Sequence, residues 1–144
     1  MFVLDTNVVS ELMRRRPEPA VERWLSRRPA SSLYFTAIGE AELRYGVAVM
    51  PRGARREALA AEIEGMLSVD LRDRVLPFDS QAARAYAEIA ARRRAAGRPS
   101  SDSDCQIAAI ASCRGATIVT RNTPDFEGTG IEVVDPWTHE DETQ

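Results

Sequence analysis

Short apolar segments alternate with helix-forming segments along this chain, and this alternation limits the folds that it can adopt. Five such segments predict β-strands, and a helix-forming stretch lies between most of them. Strands that are joined through helices pair in parallel, and a parallel sheet is covered on both faces. The sequence therefore predicts an α/β fold, a three-layer sandwich whose central, mostly parallel sheet has about five strands. The predicted strands are residues 2–4, 33–36, 74–78, 116–120 and 131–134.

Proline and glycine mark the ends of the segments that we predict as helices. Pro17 and Pro19 open the second helix, and Pro29 closes it. Gly115 lies just beyond the last helix, where glycine is common. The other predicted helices are residues 6–13, 37–49, 55–67, 80–96 and 102–113.

The length of 144 residues fits one compact domain. We assign residues 1–138 to this domain and interpret residues 139–144 as a polar C-terminal tail. No apolar run approaches the ~18 residues of a membrane span, and the N-terminus lacks the pattern of a signal peptide. We therefore expect a cytoplasmic protein with no membrane partner. Cys105 and Cys113 lie about 12 Å apart along a predicted helix, too far to form a disulfide with each other.

All positive charge on the chain comes from arginine: there are 19 Lys and Arg residues, and every one is Arg. The net charge is −3, so the chain as a whole does not attract nucleic acid. The arginines cluster, however, at residues 14–16, 27–28, 55–56 and 92–94. Each cluster is either a solvated helix end or a contact for phosphate, and the sequence leaves both interpretations open.

Acidic and polar side chains stand where the predicted strands and helices begin or end. Asp5 follows the first strand, Asp104 lies at the start of a helix, and Thr120 and Asn122 follow the fourth strand. Glu42 lies within a helix. Each residue alone has an ordinary explanation as a cap, a turn residue or a surface charge. Together they predict one cluster, because ligands bind beyond the carboxyl ends of parallel strands.

A cluster of carboxylates is unstable at neutral pH without a cation, and oxygen ligands favour Mg²⁺ or Mn²⁺ over zinc. Such an ion activates water and offsets the charge of a phosphoryl group. Metal-free ribonucleases use paired histidines, whereas this chain has only His139. We therefore exclude a histidine-pair nuclease and, unless His139 folds back, a Cys/His hydrolase. An aspartate-based phosphatase needs a second acid where the chain has Asn7, and a receiver-like domain needs a lysine.

Four short motifs follow one another along the chain. They are Asp5-Thr6-Asn7, the AELRYG segment at 41–46, the DCQIAA segment at 104–109, and VTRN at 119–122 followed by Asp125-Phe126. In this order they resemble the motifs of the PIN-domain family, and within it the VapC/FitB type of toxin from bacterial type II toxin–antitoxin systems. The match runs from about residue 1 to residue 137.

The resemblance implies a metal-dependent endoribonuclease, the toxin of a toxin–antitoxin pair, that cleaves RNA phosphodiester bonds with a metal-activated water. The implied cofactor is Mg²⁺ or Mn²⁺. The catalytic acids would be Asp5, Glu42 and Asp104. Asp5 and Asp104 would bind the metal directly, whereas Glu42 would act through a water or bind a second ion.

The resemblance also implies supporting roles around these acids. Thr6 and Asn7 would hold Asp5 by hydrogen bonds, and Thr120 would orient the pocket. Many members of the family carry a fourth acid where this chain has Asn122. That difference puts a second, tightly held metal in doubt.

Two other acids lie near the motif positions. Asp125 is a further candidate to compensate for the missing fourth acid. Asp102 does not fit the third motif, and we predict that it caps a helix.

The implied partners are an RNA substrate, a cognate antitoxin and a second copy of the chain in a homodimer, with a higher assembly with the antitoxin left open. Five apolar residues on the first two helices form either the antitoxin groove or the core. The alternative function is a non-catalytic PIN-like binding module, which the missing fourth acid keeps open. The five residues are Val9, Leu12, Met13, Trp24 and Leu25.

Overall fold

The computed structural model of the protein describes residues 1–139, so most of the predicted tail at 139–144 lies outside the described residues. Its centre is a sheet of five strands: β1 (Phe2–Leu4), β2 (Leu33–Thr36), β3 (Val75–Leu76), β4 (Thr117–Val119) and β5 (Val133–Val134). Their order in the sheet is β3-β2-β1-β4-β5, and every pairing is parallel. The predicted α/β fold is confirmed, although β3, β4 and β5 are shorter than predicted.

Helices connect the strands and cover both faces of the sheet. Their bounds agree with the predicted ones to within a few residues, and a π-helical turn at Met66–Asp70 follows the fourth helix. Two 3-10 turns, Ala30–Ser32 and Thr123–Phe126, lead into β2 and follow β4. The helices are α1 (Thr6–Leu12), α2 (Pro19–Ser26), α3 (Ala37–Ala48), α4 (Ala54–Gly65), α5 (Ser80–Ala95) and α6 (Asp102–Cys113).

The start of α6 corrects one prediction. Ser101, not Asp102, is the N-cap, because the Ser101 hydroxyl accepts a hydrogen bond from the backbone N–H of Asp104 at 3.2 Å. Asp102 is the first residue of the helix, and its carboxylate accepts a hydrogen bond from the Tyr86 hydroxyl at 3.1 Å. Serine fits the cap as well as aspartate does, so composition alone did not separate the two positions.

The core divides into two apolar clusters, one on each face of the sheet. Val3 and Ile118 point toward α5 and α6, whereas their neighbours Leu4 and Val119 point toward α1, α2, α3 and α4. This alternation follows from the two-residue period of a strand, since successive side chains lie on opposite faces. The sheet is therefore buried on both sides, and the sandwich has three layers.

The apolar residues of the first two helices divide between core and surface. Val9, Trp24 and Leu25 are buried among the core residues between the sheet and the helices. Leu12 is 38% exposed and Met13 is half-buried. Four of the five residues, Val9, Leu12, Met13 and Leu25, line one cavity of about 350 Å³, so both interpretations made from the sequence stay open for them, whereas Trp24 belongs to the core.

Within residues 1–139, no helix is long and apolar enough to cross a membrane. Cys105 and Cys113 are both free thiols, as the helical spacing predicted.

Candidate functional site: an acidic cavity at the strand ends

Asp5 begins the site at the point where β1 ends and α1 begins. It is the N-cap of α1, and its Oδ1 accepts a hydrogen bond from the backbone N–H of Thr6 at 2.8 Å. Its own N–H donates to the carbonyl of Val119 at 2.9 Å, which fixes the residue against β4. The side chain is therefore held at the carboxyl edge of the sheet, where it is 6% exposed.

A polar network joins Asp5 to the loop after β4. The buried Thr120 hydroxyl donates to Oδ2 of Asp5 at 2.8 Å, and it accepts from Nδ2 of Asn7 at 3.2 Å and the N–H of Asn122 at 3.0 Å. Oδ1 of Asn7 accepts from the backbone N–H of Arg121 at 3.3 Å. Thr120 thus uses its donor and its acceptor capacity, and the two loops are locked together around one carboxylate.

Glu42 reaches the site from the middle of α3. Its Oε1 accepts a hydrogen bond from the Thr6 hydroxyl at 3.1 Å. Gly39, one turn earlier, lets α3 lie close to β2, because a Cβ there would overlap the ring of the fully buried Phe35. The absence of a side chain at Gly39 therefore sets how near α3 brings Glu42 to the sheet edge.

The three acids proposed from the sequence line one open cavity with a volume of about 480 Å³. Asp104 enters it from the first turn of α6. Asp125 does not line this cavity, although it lies close enough to Asp5 and Asp104 to repel their charged forms. Thr120 lies behind Asp5. The lining residues are Asp5, Thr6, Asn7, Ser10, Glu11, Arg14, Glu42, Asp104 and Asn122.

Burial raises the pKa of all three carboxyl groups. For Asp5, loss of hydration is the largest cause, the hydrogen bonds from Thr120 and Thr6 oppose it, and repulsion by Asp104 and Asp125 adds to it. Burial is also the first cause for Glu42 and for Asp104. A site that disfavours its own ionised carboxylates favours the arrival of a positive charge.

The donor set fits a hard divalent cation that retains water. Within residues 1–139, no group of three or more His, Cys, Asp or Glu side chains is arranged to enclose an ion by itself. Mg²⁺ does not require such a cage, since it keeps several waters and uses one or two carboxylates together with substrate phosphates. The cavity offers buried carboxylate oxygens and space for water, which is the setting such an ion needs.

Two charged residues stand beside the site: Glu11, which the sequence did not single out, and Arg14, which it left open as a helix end or a phosphate contact. Glu11 is 6% exposed, and both its oxygens accept from Nη1 of Arg14, at 3.2 and 3.3 Å. Its Oε2 also accepts the backbone N–H of Glu18 at 3.0 Å. The three-residue spacing of Glu11 and Arg14 on a helix was the signal that could have shown this pair.

Arg93 on α5 was also missed, because it lies within a run of arginines that looks like a solvated helix end. It is 6% exposed, and its guanidinium donates to the backbone carbonyls of Glu127 and Pro124. Its charge lowers the pKa of Asp104, against the larger effect of burial. Arg93 thus holds the loop that carries Asp125 and places a fixed positive charge behind the acidic cavity.

The fold and the acidic cavity define a class, and comparison with known proteins gives the same one. The sequence model of the PIN domain matches residues 2–130, and the chain belongs to the PIN-domain family.

Among its relatives, the Sinorhizobium fredii protein named VapC ribonuclease Y4jK is 42% identical over 137 residues, or 95% of this chain and 98% of the relative. Toxin FitB from Neisseria gonorrhoeae is 36% identical over 137 residues, or 95% and 99%. The crystal structure of FitAcB from the same organism superposes with a TM-score of 0.90 at 35% identity, covering 96% of this chain and all of that one.

Proposed function

We propose that this protein is a metal-dependent endoribonuclease that acts as the toxin of a toxin–antitoxin pair. The observation that carries the proposal is the convergence of Asp5, Glu42 and Asp104, from three separate helices or their caps, on one cavity. Their raised pKa values favour a cation there. The names of the relatives, a ribonuclease and a toxin, support the same class.

A divalent cation, Mg²⁺ or Mn²⁺, would supply Lewis acidity that acidifies water and offsets charge on the phosphoryl group. Asp5 and Asp104 would hold it directly. Glu42 would act through a water or through a second ion. Asn122 lines the cavity and offers a neutral oxygen in place of a fourth carboxylate, so we propose one firmly held metal.

The residues around Asp5 orient its carboxyl group and stabilise the ionised form. Thr120 and the N–H of Thr6 hydrogen-bond to the carboxylate and so oppose the effect of burial on its pKa. Asn7 fixes the Thr120 hydroxyl by donating to its oxygen. In this proposal the network holds Asp5 in one geometry before the substrate arrives, so no reorganisation is needed during the reaction.

Glu42 is placed to move a proton. Its Oε1 accepts the Thr6 hydroxyl, which leaves Oε2 to accept the proton of the attacking water. Burial raises the pKa of this carboxyl, which makes it a stronger base than an exposed glutamate. Asp125 would add negative charge from the loop after β4 without entering the cavity.

The proposed partners are a cognate antitoxin and a second copy of the chain, in the cytoplasm. The similarity to the FitAcB structure over nearly the whole chain supports the antitoxin. Two large apolar side chains on or just after α3, Tyr45 and Val49, are 71% and 62% exposed, and this supports a contact with another protein. The stoichiometry of the purified complex measures whether the homodimer and the antitoxin combine into a higher assembly.

The enzymatic part of the proposal is tested by incubating the purified chain with a panel of transfer, ribosomal and messenger RNAs. Discrete products should form with Mg²⁺ or Mn²⁺, disappear with EDTA and disappear in Asp5→Asn. Asp73→Asn is the matched control, because Asp73 is exposed and its φ of 62° is one that asparagine tolerates. Metal binding without cleavage of any RNA would instead favour a non-catalytic binding module.

The toxin part is tested by expression in a bacterial host without an antitoxin. Wild type and Asp73→Asn should stop growth, whereas Asp5→Asn should not. Normal growth with the wild-type chain, at an expression level equal to that of Asp5→Asn, contradicts the toxin assignment.

A further inference from the structure

A second cavity, with a volume of about 1060 Å³, opens beside the acidic one between α1, α3 and α4. The two cavities share Thr6, Ser10, Arg14 and Glu42, so they are continuous. We call the larger one the arginine groove, after Arg14, Arg15, Arg16 and Arg55, which line it.

The arginine groove is locally basic on a chain whose net charge is −3. Its four arginines face only two acidic lining residues, Glu42 and Glu62. Among residues 1–139, neither Arg15, Arg16 nor Arg55 forms a salt bridge, and all three are exposed. Their charges are therefore available to a polyanion.

A buried glutamate holds the arginine loop in place. Glu11 pairs with Arg14 at 3.2 Å and accepts the backbone N–H of Glu18 at 3.0 Å, so it ties the end of α1 to the start of α2. Arg15 and Arg16 lie between these two attachment points. The loop is thus anchored on both sides by one carboxylate, and this keeps its arginines at the groove.

The floor of the groove is apolar, formed by Met13, Leu43, Val47, Leu59 and Ile63. A positively charged groove follows the phosphates of a single strand of nucleic acid. The floor has no aromatic ring for stacking, so the unpaired bases would contact its aliphatic side chains. A duplex keeps its bases inside the stack, so it offers nothing to such a floor.

We propose that the arginine groove binds the phosphates of single-stranded RNA next to the bond that is cut, with Arg15, Arg16 and Arg55 as the contacts and Glu11 as a positioning residue. This inference rests on the proposed function and locates its substrate. A strand with one phosphate in the acidic cavity leaves through the continuous groove. The planar guanidinium group matches phosphate by two parallel hydrogen bonds.

Binding of a fluorescein-labelled, single-stranded 12-nucleotide RNA in EDTA tests the groove without cleavage. Arg15→Gln/Arg16→Gln is compared with Arg84→Gln/Arg114→Gln, which removes the same charge at exposed positions that line none of the described cavities. The groove variant should bind at least about tenfold more weakly. In the groove variant, the slope of log K against the logarithm of the salt concentration should become less steep by about 1.4. Each phosphate of a single strand that is neutralised contributes about 0.7 to this slope, and the variant loses two arginines. The control should change less than about twofold.

Three results would overturn the proposed RNA site: the two double variants lose RNA affinity equally, neither variant loses affinity, or the wild-type chain does not bind the RNA. A (Glu)₁₂ peptide is the second probe: if the groove variant loses this peptide and keeps RNA, the groove serves an acidic protein segment instead. Failure of the proposed nuclease function gives a different result from failure of the groove. In that case the chain binds RNA through the groove but does not cleave it when metal is added.

The role of Glu11 is tested by Glu11→Gln, which removes the charge and keeps the shape. If Glu11 positions the arginines, Glu11→Gln should weaken binding of the labelled RNA in EDTA at least about threefold in the wild-type background, but less than about twofold in the Arg15→Gln/Arg16→Gln background. An equal loss in both backgrounds would overturn the positioning role.

Discussion

At the scale of single residues, burial and like charge act on the same few carboxyl groups. The folded chain binds a proton at Asp104 more tightly than the unfolded chain does, because burial and Asp125 raise its pKa. The cost of ionising Asp104 is therefore absent below its ordinary pKa of 3.8 and appears as the pH rises through the raised value.

Asp104→Asn should therefore stabilise the metal-free chain at pH 7 and leave its stability nearly unchanged below pH 3.8. Urea denaturation in EDTA at both pH values measures the difference. Added Mg²⁺ should reverse the order at pH 7, since a ligand stabilises the state that binds it. A variant that is less stable than wild type at pH 7 in EDTA would show that repulsion and burial do not govern this carboxyl.

The contribution of Thr120 to stability and activity depends on hydrogen bonds. Thr120→Val keeps the shape of the side chain but removes the shortest hydrogen bond to Oδ2 of Asp5 and leaves the backbone N–H of Asn122 without its acceptor. The side-chain amide of Asn7 loses one of its two acceptors and keeps Oδ2 of Asp5. The loss should be about 1–3 kcal/mol of unfolding free energy, together with most of the activity. Thr120→Ser keeps the hydroxyl and serves as the control. If the valine variant matches the serine variant in urea denaturation and cleavage, the network has no such role.

At the scale of elements, the approach of α3 to the sheet depends on one glycine. A methyl group at Gly39 would overlap the ring of Phe35, whereas a methyl group at Gly46 on the same helix meets nothing within 4 Å. Both positions are glycines within α3, so only the packing around them distinguishes the two.

Gly39→Ala should destabilise the protein by about 1–3 kcal/mol, because the buried Phe35 ring must move. Gly46→Ala should stabilise it by about 0.5–1 kcal/mol, since alanine favours the helix. Urea denaturation of the pair is the measurement. Shifts of the same sign in both variants would contradict the close contact between α3 and β2.

Helix and strand periodicity predicted most elements, since long helices carry strong periodic signals. The short strand β3 was overestimated, and the cap of α6 was assigned to Asp102 instead of Ser101. Both errors concern the ends of strands or helices, where several residue types satisfy the same local rule. The motifs led to Asp5, Glu42 and Asp104 as candidates, but the role of Glu11 depends on a contact with Glu18 that only the fold reveals.

At the scale of the whole molecule, a parallel sheet gathers polar groups from distant parts of the chain. Residues 5 and 120 are 115 positions apart and share one hydrogen bond. Arg93, which the sequence presents as one of three consecutive arginines, is the one that is buried behind the cavity. An acidic cavity and a basic groove thus lie side by side on a chain with little net charge, which allows metal and RNA to bind at adjacent places.

We propose that the acidic cavity cuts RNA with the help of a divalent cation. This is tested by the initial cleavage rate of one RNA from the panel, measured against Mg²⁺ concentration for wild type and Asp5→Asn. The wild-type rate should rise from zero in EDTA to saturation, and the variant should be at least about 100-fold slower at every concentration. Cleavage by wild type in EDTA, or an equal rate in Asp5→Asn, would contradict the claim.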